Sequence, residues 1–134
     1  MGVSCYLPDS TLLIDYVNDI PAGVETVQLL FAQAATLYTC EVVTCEVLSK
    51  GGSREIASMA NLLDALEYVA LDPEGARWAA AARREGRARA GARSLADVLL
   101  GAVAWRVGAT IVTRNPRDFE RMGIPVLHYG VPLP

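Results

Sequence analysis

Lysine is almost missing from this chain: of its twelve basic residues only Lys50 is lysine, and the other eleven are arginine. Histidine occurs once, at His128, and the three cysteines, Cys5, Cys40 and Cys45, lie in apolar stretches without Cys-x-x-Cys spacing. Such poverty in nitrogen and sulfur ligands argues against zinc, and an odd set of thiols with no framework spacing reads as small hydrophobes packed in a core. No apolar run approaches the roughly 18 to 20 residues of a membrane-crossing helix. The N-terminus lacks a basic-then-apolar leader, so the expectation is a soluble, cytoplasmic protein with no membrane partner. Internal repeats and low-complexity linkers are also absent.

What is present suits one core. The chain has 134 residues, of which 52% are apolar, and a mean hydropathy of +0.27, which predicts a single globular domain spanning residues 1–134. The formal net charge of −3 argues against a uniformly basic nucleic-acid-binding surface. The distribution of charge says more than the sum. Arg83, Arg84, Arg87, Arg89 and Arg93 crowd one short segment that also holds Gly86 and Gly91. This run reads either as a solvated helix face and loop or as a rim that contacts phosphate, since guanidinium groups bind phosphate in a planar, two-toothed fashion.

Val3 to Leu7 reads as a strand, and Asp9-Ser10-Thr11 as the cap of a helix bearing Leu12, Leu13, Tyr16 and Val17 at helical spacing. After Pro21 and Gly23, the residues Val27, Leu30, Phe31 and Ala34 mark a second helix. Leu37 to Val43 predicts a second strand, with Thr44 capping a short helix that Gly51-Gly52 stops. Ile56, Met59, Ala60 and Leu63 predict the next helix, Tyr68 to Leu71 a third strand, and Asp72-Pro73 the start of an alanine-rich helix to about Glu85. Ser94 caps a helix with Leu95, Val98, Leu99 and Ala102 on its apolar stripe, and Gly108 closes it. Ala109 to Thr113 is a fourth strand, followed by a short helix from Pro116 to Met122 and an apolar run from Pro125 to Tyr129. Trp78 and Trp105 read as core residues. Strictly alternating elements with apolar strands imply an α/β fold with a parallel sheet covered on both faces. In such sheets ligands bind beyond the carboxyl ends of the strands.

Asp9, Glu46 and Asp118 each follow a strand and map to that edge, while Asp97 lies in the first turn of the helix before the fourth strand. Each acid alone has a structural explanation, because carboxylates stabilise helix N-termini. Four together repel one another, and a bound cation relieves the repulsion. Hard divalent ions prefer oxygen, and Mg²⁺ takes one or two carboxylates, several waters and substrate phosphate oxygens. Such an ion activates water and neutralises charge on a phosphate. Nuclease, phosphatase and phosphoacceptor chemistry all remain open on this logic.

Four segments carry a resemblance. They are Leu7-Pro8-Asp9-Ser10-Thr11-Leu12-Leu13-Ile14-Asp15-Tyr16, Val43-Thr44-Cys45-Glu46-Val47-Leu48-Ser49-Lys50-Gly51, Ala96-Asp97-Val98-Leu99-Leu100-Gly101-Ala102, and Ala109-Thr110-Ile111-Val112-Thr113-Arg114-Asn115-Pro116-Arg117-Asp118-Phe119. In this order and spacing they resemble the PIN-domain ribonucleases, and within them the VapC-type toxins of toxin–antitoxin pairs. The resemblance implies a three-layer fold with a central, mostly parallel sheet of four to five strands flanked by helices. It also implies an endoribonuclease that cuts structured RNA such as tRNA or rRNA with a metal-activated water, leaving 5′-phosphate and 3′-hydroxyl ends. Asp9, Asp97 and Asp118 would then hold Mg²⁺, for which Mn²⁺ can substitute, and Glu46 would orient water or a second ion.

Ser10, Thr113 and Asn115 would support the pocket, and Asn115 rivals Asp118 for its fourth corner. Arg114 joins the arginine-rich segment as a candidate RNA contact. Pro8 departs from the family pattern and predicts a shifted turn at Asp9, because proline offers no amide to the sheet. The implied partners are a VapB-like antitoxin and a second copy of the chain. Apolar stripes on the helices around residues 24 to 35 and 53 to 66 are available to either partner, or to the core.

Overall fold

The computed structural model describes residues 4–33, 35–89 and 91–130. In chain order the elements are β1 (Cys5–Pro8), α1 (Ser10–Val17), α2 (Pro21–Ala32), β2 (Thr36–Thr39), α3 (Glu41–Leu48), α4 (Ser53–Asp64), β3 (Glu67–Tyr68), α5 (Pro73–Ala88), α6 (Leu95–Val107), β4 (Thr110–Thr113), α7 (Pro116–Glu120) and β5 (Val126–His128). The strands form one five-stranded sheet in the order β3-β2-β1-β4-β5, and every pairing is parallel. The alternation of elements predicts this parallelism, because adjacent parallel strands need crossovers of helical length.

Helices cover the sheet, and its central strands are accordingly apolar. Leu7, Ile111 and Val112 are fully buried, and the core extends through Leu12, Leu13, Val43, Val47 and Val103. Helices α1 to α4 pack on one another, while α5 packs along α6 through Ala79, Ala82, Val98 and Ala102. The small side chains of that seam let the two helix backbones approach closely. Among the described residues no helix is long and apolar enough to cross a membrane.

Element boundaries depart from the sequence reading in an instructive way. The second strand ends at Thr39 instead of Val43, and Cys40, buried, takes the N-cap position of α3. Thr44 therefore lies inside that helix and does not cap it. Val43 and Val47 stand one turn apart and both face the core, and burying them outweighs the weak preference of valine for strands. The third strand shortens to Glu67–Tyr68, and α5 runs on to Ala88. Val3 and Ala34, assigned above to the first strand and second helix, lie outside the described residues.

Leu95 and Trp105, read above as part of an apolar stripe and as core, are exposed, as are Phe31 and Ile56 on the stripes left open to a partner. Trp105 stacks on Trp78 with ring centroids 5.8 Å apart, so its partner is a ring on α5 and not the central core. Cys45 is likewise exposed.

The contact between α1 and α2 depends on Gly23. A Cβ there would stand 2.6 Å from the Cβ of Asp15 and 3.0 Å from the backbone of Asp15 and Tyr16. Alanine gains up to about 1 kcal/mol over glycine in a helix, but overpacking against an unyielding backbone costs about 1 to 3 kcal/mol. Gly23→Ala is therefore expected to destabilise the chain by about 1 to 2 kcal/mol, read as a lower urea midpoint with unchanged slope.

Candidate active site

The strand order places a topological switch between β1 and β4: from β1 the chain builds outward through β2 and β3, and β4 and β5 add to the other side. Ligands bind at such switch points because the loops leaving the two central strands diverge and open a crevice. The residues leaving those strands are Asp9 on one side and Thr113 to Asp118 on the other.

Asp9 is the N-cap of α1. Its Oδ1 accepts from the Leu12 amide at 3.1 Å and from the Thr11 hydroxyl at 2.6 Å. Its own amide donates to Val112 O at 3.0 Å, so the turn after Pro8 is tied to the neighbouring strand. With Asp9 only 6% exposed, burial pushes its pKa up, and hydrogen bonds from Thr11, Thr113 and the Leu12 amide pull the other way. The hydroxyls that hold Asp9 are those of Thr11 and Thr113, and Ser10, named above as support, does not bond to it. Thr113 is fully buried, and its Oγ1 also accepts from the Asn115 amide at 2.9 Å. Asn115 occupies the N-cap position of α7, with no hydrogen bond from its side chain to the helix.

Glu46 does not directly follow a strand; it is on the solvent-facing side of α3, near its end. Contact between α3 and α6 carries it to the first turn of α6, where the Ser94 Oγ accepts from the Asp97 amide at 3.1 Å. Partial burial raises the pKa of Glu46, and the charges of Asp97 and Asp9 raise it further, with Lys50 opposing. Asp97 is also raised, first by burial and then by Asp118 and Asp9, against a lowering hydrogen bond from Ser94. Asp9, Glu46 and Asp97 thus lie within electrostatic reach of one another, and Asp118 lies within that of Asp97. Asp118 joins from the first turn of α7, on the side of Asp97.

The donor set fits a hard divalent ion. It consists of carboxylate and hydroxyl oxygens whose repulsion a cation would relieve. Among the described residues no group of three or more His, Cys, Asp and Glu side chains is placed to hold a metal ion.

A second polar layer lies behind Asp9, and sequence reasoning missed it. Asp15, 6% exposed, accepts from the Tyr129 hydroxyl at 2.9 Å and pairs with Arg114 Nη1 at 3.4 Å. The same tyrosine oxygen stands 3.4 Å from Thr11 Oγ1, so the network reaches the hydroxyl that holds Asp9. Arg114 thus spends part of its guanidinium on Asp15. The available signal was one acid six residues after Asp9 on an otherwise apolar helix. The arginines of the 83–93 segment do not join the acids as a block. Arg89 and Arg93 share a cavity with Asp118, whereas Arg83, Arg84 and Arg87 line a different groove.

Carboxylates gathered at the switch point of an all-parallel, helix-covered sheet define a class of α/β site suited to a cation and a phosphate. The chain belongs to the PIN-domain family, whose profile matches residues 6–125. Its fold is similar to VapBC2 from Rickettsia felis bound to a DNA fragment from its promoter, with a TM-score of 0.79 at 20% identity, over 93% of this chain and 98% of that one. DNA-bound VapBC from Salmonella typhimurium is equally similar, with a TM-score of 0.79 at 20% identity over 95% and 98% of the two chains. The sarcin–ricin-loop-cleaving toxin VapC20 of Mycobacterium tuberculosis matches with a TM-score of 0.67 at 16% identity, over 89% and 95%. The chain has no sequence match among curated proteins.

Proposed function

We propose that the chain is a divalent-metal-dependent endoribonuclease toxin that cuts structured RNA such as tRNA or rRNA and is restrained by a VapB-like antitoxin. The observation that carries this reading is the convergence of Asp9, Glu46 and Asp97 at the switch point, each with a raised proton affinity. Structural similarity to the VapBC complexes named above supports the antitoxin, and the sarcin–ricin-loop toxin supports a ribosomal or similarly folded RNA. A homodimer is part of the same reading.

Asp9, held by Thr11 and the Leu12 amide, and Asp97, anchored beside Ser94, would hold Mg²⁺ or Mn²⁺, joined by Asp118, which lies within electrostatic reach of Asp97. When bound, such an ion lowers the pKa of water and neutralises charge developing on the scissile phosphate. Glu46, on the exposed side of the cluster, orients the attacking water and accepts its proton. General bases work best when their pKa lies near the working pH, and burial with the charges of Asp97 and Asp9 moves Glu46 in that direction. The test is Mn²⁺-stimulated cleavage of tRNA and rRNA by the purified chain. Failure to bind Mn²⁺ together with intact RNA would point to a binding module instead, and turnover of small phosphomonoesters without RNA cleavage to a phosphatase.

The pH dependence follows from the signs. Protons compete with metal for Asp9, Glu46 and Asp97, all raised above their ordinary values. Cleavage at limiting Mn²⁺ is therefore expected to rise with pH above the usual carboxylate range of about 4, and saturating Mn²⁺ is expected to move that limb to lower pH. Raised native pKa values also mean that the cluster's contribution to stability is fully present below the unfolded values of about 4 and is lost as pH rises through the native ones. The metal-free chain should thus lose stability toward neutral pH and regain it with Mn²⁺. A metal-free Tm independent of pH from about 4 to 7 would contradict the raised proton affinities that burial gives these acids.

A further inference from the structure

The arginine-rich segment is divided by the way the chain turns after α5. Gly91 folds back so that its amide donates to Gly86 O at 3.0 Å, and the side chain of Arg93 crosses the helix at Gly86. A Cβ on Gly86 would lie 2.9 Å from Cγ and Cδ of Arg93 and 2.7 Å from Gly91 O, so only glycine leaves this path open. Arg93 Nη1 then donates to Ala82 O at 2.7 Å and Nη2 to Arg121 O at 3.2 Å. These bonds fix the guanidinium while leaving some of its five N–H groups for another acceptor.

The turn creates a cavity of about 370 Å³ lined by Arg89, Arg93 and Arg121 together with Glu85 and Asp118. Arg121 lies far from the 83–93 segment in sequence and joins it only through the fold. Glu85 is engaged one helical turn away by Arg89, at 3.6 Å. Asp118 is the shared wall: it lines this cavity and also acts electrostatically on Asp97. A recess with three guanidinium groups and two carboxylates therefore adjoins the acids at Asp118.

We infer that this recess is a subsite for an RNA phosphodiester neighbouring the one cut, an inference that rests on the reading of the chain as a nuclease acting on RNA. The acidic cluster repels the anionic strand unless a cation intervenes, so the strand needs an anchor of opposite sign beside it. Guanidinium groups suit that anchor because their forked donors match phosphate oxygens. Arg93 is held in place before the ligand arrives, which lowers the entropy lost on binding. Arg121 and Arg89, both exposed, supply the remaining charge. Arg83, Arg84 and Arg87 lie beside Leu95, Val98 and Leu99 in the other groove and are not part of the subsite.

The test uses an Asp97→Asn background, which prevents cleavage, and a fluorescein-labelled single-stranded RNA of roughly 12 nucleotides, within the footprint of single-strand binding sites. Arg121→Ala and Arg89→Ala are each expected to weaken binding by about 3- to 10-fold. Each should also lower the slope of log affinity against log salt by about 0.7, the value for one lost phosphate contact on a single strand. Arg84→Ala should change neither quantity. In the cleaving parent, Arg121→Ala should raise KM with kcat unchanged.

Unchanged RNA affinity in the Arg89→Ala, Arg121→Ala double variant overturns the subsite, as does a loss seen only with Arg84→Ala. Weaker binding of an oligoglutamate peptide with RNA binding intact also overturns it, by showing a recess for protein carboxylates. Because the binding assay does not require cleavage, loss of RNA affinity in variants of a chain that never cuts RNA would sink the nuclease reading and leave the recess as a site for RNA phosphate alone.

Discussion

Asp97→Asn is expected to reduce metal-dependent RNA cleavage by roughly 100-fold or more, since even residues that only orient a metal ligand are worth about 10- to 100-fold. The same substitution should leave the metal-free chain folded and no less stable than its parent. Asp97 feels the charges of Asp118 and Asp9, so a neutral amide removes repulsion, and Ser94 still caps α6 through the Asp97 amide. The two outcomes together separate a functional carboxylate from a capping one. A helix cap lost outright would cost about 1 kcal/mol of stability, whereas a metal ligand lost costs activity and Mn²⁺ affinity alone. Full cleavage by Asp97→Asn would remove this residue from the site, and a large fall in Tm with activity intact would return it to a structural role.

Asp15→Ala is expected to cost about 1 to 3 kcal/mol of stability, the range for stranding a buried polar partner. The partner is the Tyr129 hydroxyl, which is buried and donates its one hydrogen to Asp15 at 2.9 Å. Arg114 contributes less, since its side chain is half exposed and can turn to water. The two partners should therefore be strongly non-additive. Once Asp15 is alanine, adding Tyr129→Phe removes the stranded hydroxyl and should cost little more or even recover stability. Urea denaturation of the two single variants and the double variant reads this coupling directly, and additive costs would show that the hydroxyl and carboxylate do not act as a pair. Because Tyr129 also approaches Thr11, which holds Asp9, Asp15→Ala should weaken Mn²⁺ binding as well.

The site was partly legible in the sequence because several of its parts are local. Asp9 lies beside its own strand, Ser94 and Asp97 are three residues apart on one helix turn, and Thr113 ends a strand. Their types and spacings announce caps and strand ends, the positions from which side chains reach the edge of a parallel sheet. Thr11 was the near miss, adjacent to the hydroxyl expected to steady Asp9. Asp15 and Tyr129 were invisible for a different reason. They lie 114 residues apart and meet only because β5 pairs with β4, which pairs with β1. Glu46 is singled out by the family resemblance, and it does not follow a strand directly, since its helix begins at Glu41, earlier than the valine-rich run suggests. It reaches the acids because α3 packs on α6, not because a strand ends beside it.

Alternation of apolar strands with amphipathic helices was enough to require a parallel, helix-covered sheet, and with it the edge at which ligands bind. Those conclusions need only periodicity and the length of crossover connections, both local properties of the chain. Strand order is not local, because any of several orders buries the same apolar strands. The order β3-β2-β1-β4-β5 puts the switch point between Asp9 and Thr113, draws Asp97 and Asp118 to it, and divides the arginines between two recesses. One acidic cluster with a basic recess at its side is a product of packing: long-range contacts decide which charges become neighbours, and the energy of those charges depends on distance and burial.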